Sequence, residues 1–198
     1  MVSCNSPQTT QTKTLVPTKN YFKSDGEIML KLYKTVNNET LYWETWNTDQ
    51  TNAVIHWGKL GYAGDNKGIQ KNSATELQNE INNSIELKKR EGFEEVSLDN
   101  QYTVQINFKL KTWGSEKDLD RREEVRNIVT EHLGWTGNGR CDDGDIGSGE
   151  MSLFADVIDP HLAIKTLTKE FKNENITDLY YFTIIKGDSI IADKIKPE

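Results

Sequence analysis

The stretch His56-Trp57-Gly58-Lys59-Leu60-Gly61-Tyr62-Ala63-Gly64 packs two aromatic residues, a cation and three glycines into nine positions. Glycine serves a tight turn or a close backbone approach. An exposed indole offers a stacking plate, and an ammonium meets a phosphate. A small β-sheet with tryptophan in its core needs many of the same residues. The two flanks decide between these readings. Upstream, "IMLKLYKT" and "ETLYWETW" are rich in β-formers and are separated by the turn Asn37–Glu39. "DQTN" punctuates before "AVIHWGKLG". Downstream, after a polar loop, "SATELQNEINNSIELKKREGF" is a marked helix. Ser73 and Glu76 form a capping box. Ala74, Leu77, Ile81 and Ile85 share one face. Lys88, Lys89 and Arg90 complement the negative end of the helix dipole. Gly92 stops the helix and lets Phe93 fold back on it.

These features resemble a WGR domain, the module found in poly(ADP-ribose) polymerases and in bacterial stand-alone proteins. Trp57-Gly58-Lys59 stands at the name-giving triplet, with lysine in place of arginine. Gly61 and Gly64 match the following glycines, and the closing helix ending at Gly92-Phe93 is in place. The resemblance covers roughly residues 27–97. It implies a nucleic-acid face, for DNA ends or breaks, around Trp57, Gly58 and Lys59; Lys67 and Lys71, in the loop that follows, would extend a phosphate path from Lys59, the alternative being a solvated loop face. On a strand, Trp57 and Lys59 would point to the same side. A lysine meets phosphate as a point charge, without the bidentate fork of arginine.

From Gln101 a second unit begins. "YTVQINFKLK" alternates, with Val104, Ile106, Phe108 and Leu110 on one face. "DLDRREEVRNIVTEHLGW" is a helix, with Gly134 as its expected stop. "SLFADVID" is a strand. Asp159-Pro160 opens the helix "HLAIKTLTKEF". "LYYFTIIKGDSIIADKI" is a hairpin turned at Gly187-Asp188. The order predicts an α+β sandwich of ferredoxin-like type over 101–198. The expected organisation is therefore a polar tail (1–25), a small antiparallel-sheet WGR-like domain with one closing helix (26–97), and a ferredoxin-like domain, with 98–100 as the linker.

Charge and composition narrow the function. The chain has 198 residues, of which 35% are hydrophobic and 28% charged. Residues 27–98 carry 8 basic and 11 acidic side chains, a net −3; residues 99–198 carry 13 and 19, a net −6. No region is strongly basic, so nucleic-acid contact would use a local patch, and the acidic second unit suits a protein partner. Cys4 and Cys141 make neither a disulfide framework nor a zinc site, and His56, His132 and His161 are scattered. The glycine- and aspartate-rich segment 137–150 offers Asp142, Asp143 and Asp145, but the spacing is not that of a calcium loop. It reads as a loop or irregular strand. No metal, cofactor or catalytic residue is expected. The composition and the resemblance together point to a non-catalytic binding protein. The alternative is a protein-interaction or inhibitor protein with no nucleic-acid role. No segment approaches the apolar run of about 18 residues that spans a membrane. The expected location is cytoplasmic; the alternative is a lipid anchor through Cys4, because "MVSCNSPQTT" resembles the end of a bacterial lipoprotein signal.

Overall fold

The computed structural model describes residues 29–111, 113–178 and 180–197. Cys4 and the N-terminal tail therefore lie outside the described residues. The fold is α+β, with two antiparallel sheets in succession. The first runs in order β1 (Met29–Val36), β2 (Glu39–Asn47), β3 (Asn52–Lys59) and β4 (Asp65–Gln70), closed by α1 (Ala74–Arg90). The second unit follows as β5 (Tyr102–Lys109), α2 (Glu116–Trp135), β6 (Gly139–Gly147), β7 (Glu150–Val157), α3 (Pro160–Asn173), β8 (Tyr180–Lys186) and β9 (Ser189–Ile195). Its sheet order is β6-β7-β5-β8-β9. That is the ferredoxin-like arrangement of a split β-α-β pair, with β9 added at one edge.

Each sheet packs its apolar face against helices of its own unit. Leu77, Ile81 and Ile85, four residues apart on α1, pack on Leu30, Leu32, Trp43 and Ala53. Ala74, placed on that face by periodicity, is exposed. In the second unit Val125, Val129 and Leu133 of α2 and Ala163, Leu167 and Phe171 of α3 cover Val104, Ile106 and Phe108.

Three helix ends use the same device. A residue in the left-handed region follows the cap, and the next two N–H groups turn back to helix carbonyls. At α1 these are Gly92 (φ +90) and Phe93, bonded to the carbonyls of Lys89 and Lys88. At α3, Asn175 (φ +55) takes the glycine position. At α2 it is Gly137 (φ +66), with Gly137 and Asn138 bonded to Gly134 and Leu133. Gly134, the expected stop, is an internal helix residue: the helix continues through Trp135. The Asp159 side chain caps α3 as expected, accepting from the N–H groups of His161 and Leu162. At α1 the Ser73 hydroxyl accepts from Glu76 N–H, while the Glu76 carboxylate accepts from Asn72 rather than from Ser73.

Two segments of low apolar content are edge strands, one read as a polar loop and the other as a loop or irregular strand. Residues 65–70, the polar loop, form β4, with Lys67 opposite Ile55. Residues 139–147 of the glycine-aspartate segment form β6, with a bulge between Cys141 and Asp143 that breaks the alternation. Both strands pair on one side only. They need little apolar patterning and carry almost none.

The two units are docked through the end of α2. A helix C-terminus leaves its last carbonyls without intrahelical partners. Here the turn back satisfies some of them, and the first unit bonds the carbonyls at and just past the cap. The Thr136 carbonyl accepts from Gly61 N–H at 3.0 Å, and the Gly137 carbonyl accepts from the Tyr33 hydroxyl at 2.9 Å. The Tyr42 hydroxyl lies 3.4 Å from the Trp135 carbonyl.

A Cβ added at Gly137 would sit 2.3 Å from the Tyr42 ring, at a left-handed φ. Gly137→Ala should therefore destabilise the protein by about 3 kcal/mol, combining overpacking with left-handed strain. Gly134→Ala, whose Cβ meets nothing within 4 Å, should be neutral or gain up to about 1 kcal/mol of helix propensity. Urea denaturation of the two variants checks the contrast. Equal stabilities would show that the seam is loose.

Candidate functional site

The motif stretch ends β3 and turns toward β4. Trp57 and Lys59 share one side of the first sheet, the side that α1 covers, because Trp57 pairs with Trp43 and Lys59 with Leu41. Trp43 is buried, whereas Trp57 lies nearer the sheet margin and is 38% exposed. Lys67 is on the same side, opposite Ile55. The surroundings are not uniformly basic. Asp65 stands directly opposite Trp57. The Lys59 ammonium donates to Glu39 at 2.5 Å and lies 5.5 Å from the centre of the Tyr62 ring. Its hydrogen bond to Glu39 raises the Lys59 pKa. Lys71 pairs with Glu80 of α1 at 3.3 Å. The structure thus brings Trp57, Lys59 and Lys67 to one side, and it pairs Lys59 and Lys71 with carboxylates.

The glycines of the motif do something else. Gly61 has φ +82 and needs glycine for its backbone. Gly58 and Gly64 do not have left-handed φ; they are required for space. A Cβ at Gly58 would lie 3.0 Å from the Tyr42 hydroxyl, and one at Gly64 would lie 2.3 Å from it and 2.1 Å from the Trp57 carbonyl oxygen. Both glycines open room for Tyr42.

Tyr42 belongs to a buried polar chain on the opposite side of the sheet, facing the second unit. The Tyr42 hydroxyl meets His56 Nε2 at 3.0 Å. His56 Nδ1 meets Glu44 Oε1 at 2.7 Å, and Glu44 Oε2 accepts from the Lys31 ammonium at 2.8 Å. Tyr42, Glu44 and His56 are 2%, 4% and 0% exposed. Burial, reinforced by the Glu44 charge, pushes the Tyr42 phenol well above its ordinary pKa; Tyr33 behaves the same way. Around His56 the rings of Trp46 and Trp135 stand nearly perpendicular to each other, at 83° and 6.5 Å between centres. His56 lies 5.0 Å from Trp135 and 6.2 Å from Trp46. A cleft of about 370 Å³ opens here at the seam between the units.

The motif drew attention to the α1 side of the sheet, whereas this chain lies on the other. A signal for it was present. "LYWETW" is aromatic or aliphatic at both odd and even positions from 41 to 43, and Trp46 follows on the even phase. A strand apolar on both phases has both faces covered. The second cover, α2, lies more than seventy residues downstream.

Cys141 shows no nucleophilic setting. It is fully buried, and desolvation pushes its thiol up to about 12. Among the described residues no group of three or more His, Cys, Asp or Glu side chains is placed to hold a metal ion. Among the same residues no helix is long and apolar enough to cross a membrane.

Glu44→Ala should cost on the order of 3 kcal/mol, because it leaves a buried imidazole N–H and the Lys31 ammonium without their acceptor. Glu44→Gln, which keeps the shape and one acceptor, should lose less. Chemical denaturation measures both; a neutral Glu44→Ala would mean that the chain carries no stability. Cys141 should resist iodoacetamide in the folded protein and react once urea unfolds it, as read by peptide mass mapping. Rapid native alkylation of Cys141 would contradict its burial.

Compared with known proteins, the chain matches no family model, no characterised protein and no solved structure.

Proposed function

We propose that the protein is a non-catalytic binding protein whose second sheet docks a basic protein partner. One observation carries this reading. α2 and α3 both pack on the same face of the five-stranded sheet, and none of the described helices packs on the other. Register places Asp143, Asp145, Glu150 and Asp156 on that open face, and Asp193 reaches it to accept from Thr183. Lys109 and Arg140 oppose them there, and Lys194 lies close enough to act on the Glu150 charge. Lys109 pairs with Glu150 at 2.6 Å, which lowers the Glu150 pKa, and Arg140 pairs with Asp142 at 2.6 Å. Phe154 and Ile185 supply half-buried apolar surface between the charges. Such a face attracts a cationic partner and repels phosphate.

Cross-linking in cell extract, with Asp145→Lys/Asp156→Lys as the comparison, tests the reading. Wild type should cross-link through Lys109 or Lys194 to a basic protein, and the charge-reversed variant should lose that product. Cross-links that persist in the variant would remove the face from consideration.

A second reading rests on Trp57. Its partly exposed indole shares a side of the sheet with Lys59 and Lys67, in the arrangement that the WGR resemblance implies for DNA ends or breaks. Binding would be weak and salt-sensitive, since Glu39, Asp65 and Glu80 surround the cations. Titration with nicked and blunt duplexes at low salt should show Lys67→Ala weakening the complex and lowering the salt slope by about one. No binding to any DNA form would retire this reading.

A further inference from the structure

We infer that the cleft at the seam is a binding site for a guanidinium group, the side chain of an arginine in a peptide or protein. The inference is independent of the acidic sheet face and uses different residues. The floor is the buried pair Glu44 and His56, and the walls are Trp46 and Trp135. Lys31 and Glu131 also line it.

Charge decides which class of ligand fits. Glu44 and Glu131 are negative and Lys31 is positive, so the lining carries one net negative charge. Lys31 is spent on Glu44 at 2.8 Å, with its side chain only 18% exposed. Both Glu44 oxygens are occupied, one by Lys31 and one by His56. Glu131 is exposed and takes part in none of the ion pairs among the described residues. The open charge of the cleft is therefore a carboxylate.

Shape and surface decide between cations. Indole faces carry negative potential and attract cations, most strongly when partly desolvated. Trp135 is 42% exposed and Trp46 is half-buried, so indole surface remains for a ligand at the mouth. The volume of about 370 Å³ lies within the range of small-ligand clefts. A guanidinium is planar, stacks on an indole and gives a carboxylate two parallel hydrogen bonds. An ammonium is more strongly hydrated and offers neither the plane nor the fork. A neutral aromatic would leave the Glu131 charge unanswered, and an anion would be repelled by it.

The test uses the full chain and three short capped peptides, Gly-Xaa-Gly, with arginine, lysine or the neutral isostere citrulline in the middle. Proton–nitrogen spectra resolve the indole N–H signals. The arginine peptide should shift Trp46 and Trp135 saturably and leave Trp43 and Trp57 unmoved. Citrulline should bind at least about tenfold more weakly, and lysine should fall between. Glu131→Gln, a change at an exposed position, should weaken arginine binding about tenfold. Asp145→Lys/Asp156→Lys should leave it unchanged, which separates this site from the sheet face. Equal binding of arginine and citrulline would overturn the inference, as would an unaffected Glu131→Gln variant. So would the absence of any shift at about 10 mM peptide, beyond the weak millimolar range of a single-group contact.

Discussion

The structure turns on the seating of one tyrosine. Tyr42 projects from the middle of the first sheet into the seam between the two units. Three glycines, drawn from places far apart in the chain, leave room for it. Gly58 and Gly64 come from the motif, and Gly137 comes from the end of α2. A methyl group at Gly64 or Gly137 would overlap the Tyr42 side chain outright, at 2.3 Å. The hydroxyl then joins the buried chain through His56 and Glu44 to Lys31. A buried polar group is costly unless it is bonded, so the chain holds together only while both units are in place to exclude water from it.

The same contact solves a problem for the second unit. α2 ends at the seam between the units. Gly61 N–H and the Tyr33 hydroxyl meet the carbonyls of its cap, Thr136, and of the next residue, Gly137. Leu162 of α3 closes over Gly61, within 3.0 Å of where a side chain there would begin. The motif turn is thus the socket for a helix end, and its glycines serve packing as well as backbone freedom. This leaves Trp57 and Tyr62 as the exposed aromatic residues of the motif. Lys59 is tied to Glu39.

Two of the surfaces that the docked sheets leave open bear on binding. One is the open face of the second sheet, acidic because α2 and α3 both lie on the other side. The other is the cleft beside the Tyr42 chain, where the units meet imperfectly. Both favour positive charge, in keeping with a chain whose formal net charge is −7. The buried cysteine has a raised pKa, and His56 is committed on both ring nitrogens.

Much of the architecture was legible from residue order alone. Alternation in Tyr102–Lys109, the Asp159-Pro160 cap and the Gly92-Phe93 stop are local signals, and each governs a local element. Edge strand β4 escaped, and β6 was legible only as a loop or irregular strand, because pairing on one side relaxes the demand for apolar residues. The stop of α2 was misplaced because either Gly134 or Gly137 suits a helix end; Gly137 takes the left-handed turn because Tyr42 fills the space beside it. The sequence by itself determined the helices, most of the strands and the ferredoxin-like order, since these follow from periodicity and capping within a few residues. Only the tertiary structure decided which face of the first sheet is buried against the second unit, why Gly58 and Gly64 are glycines, and that His56, Glu44 and Lys31 belong together. The first depends on groups about a hundred residues apart coming into contact, and the others on strand pairing that brings side chains from different strands together; no local pattern encodes which surface a face will meet.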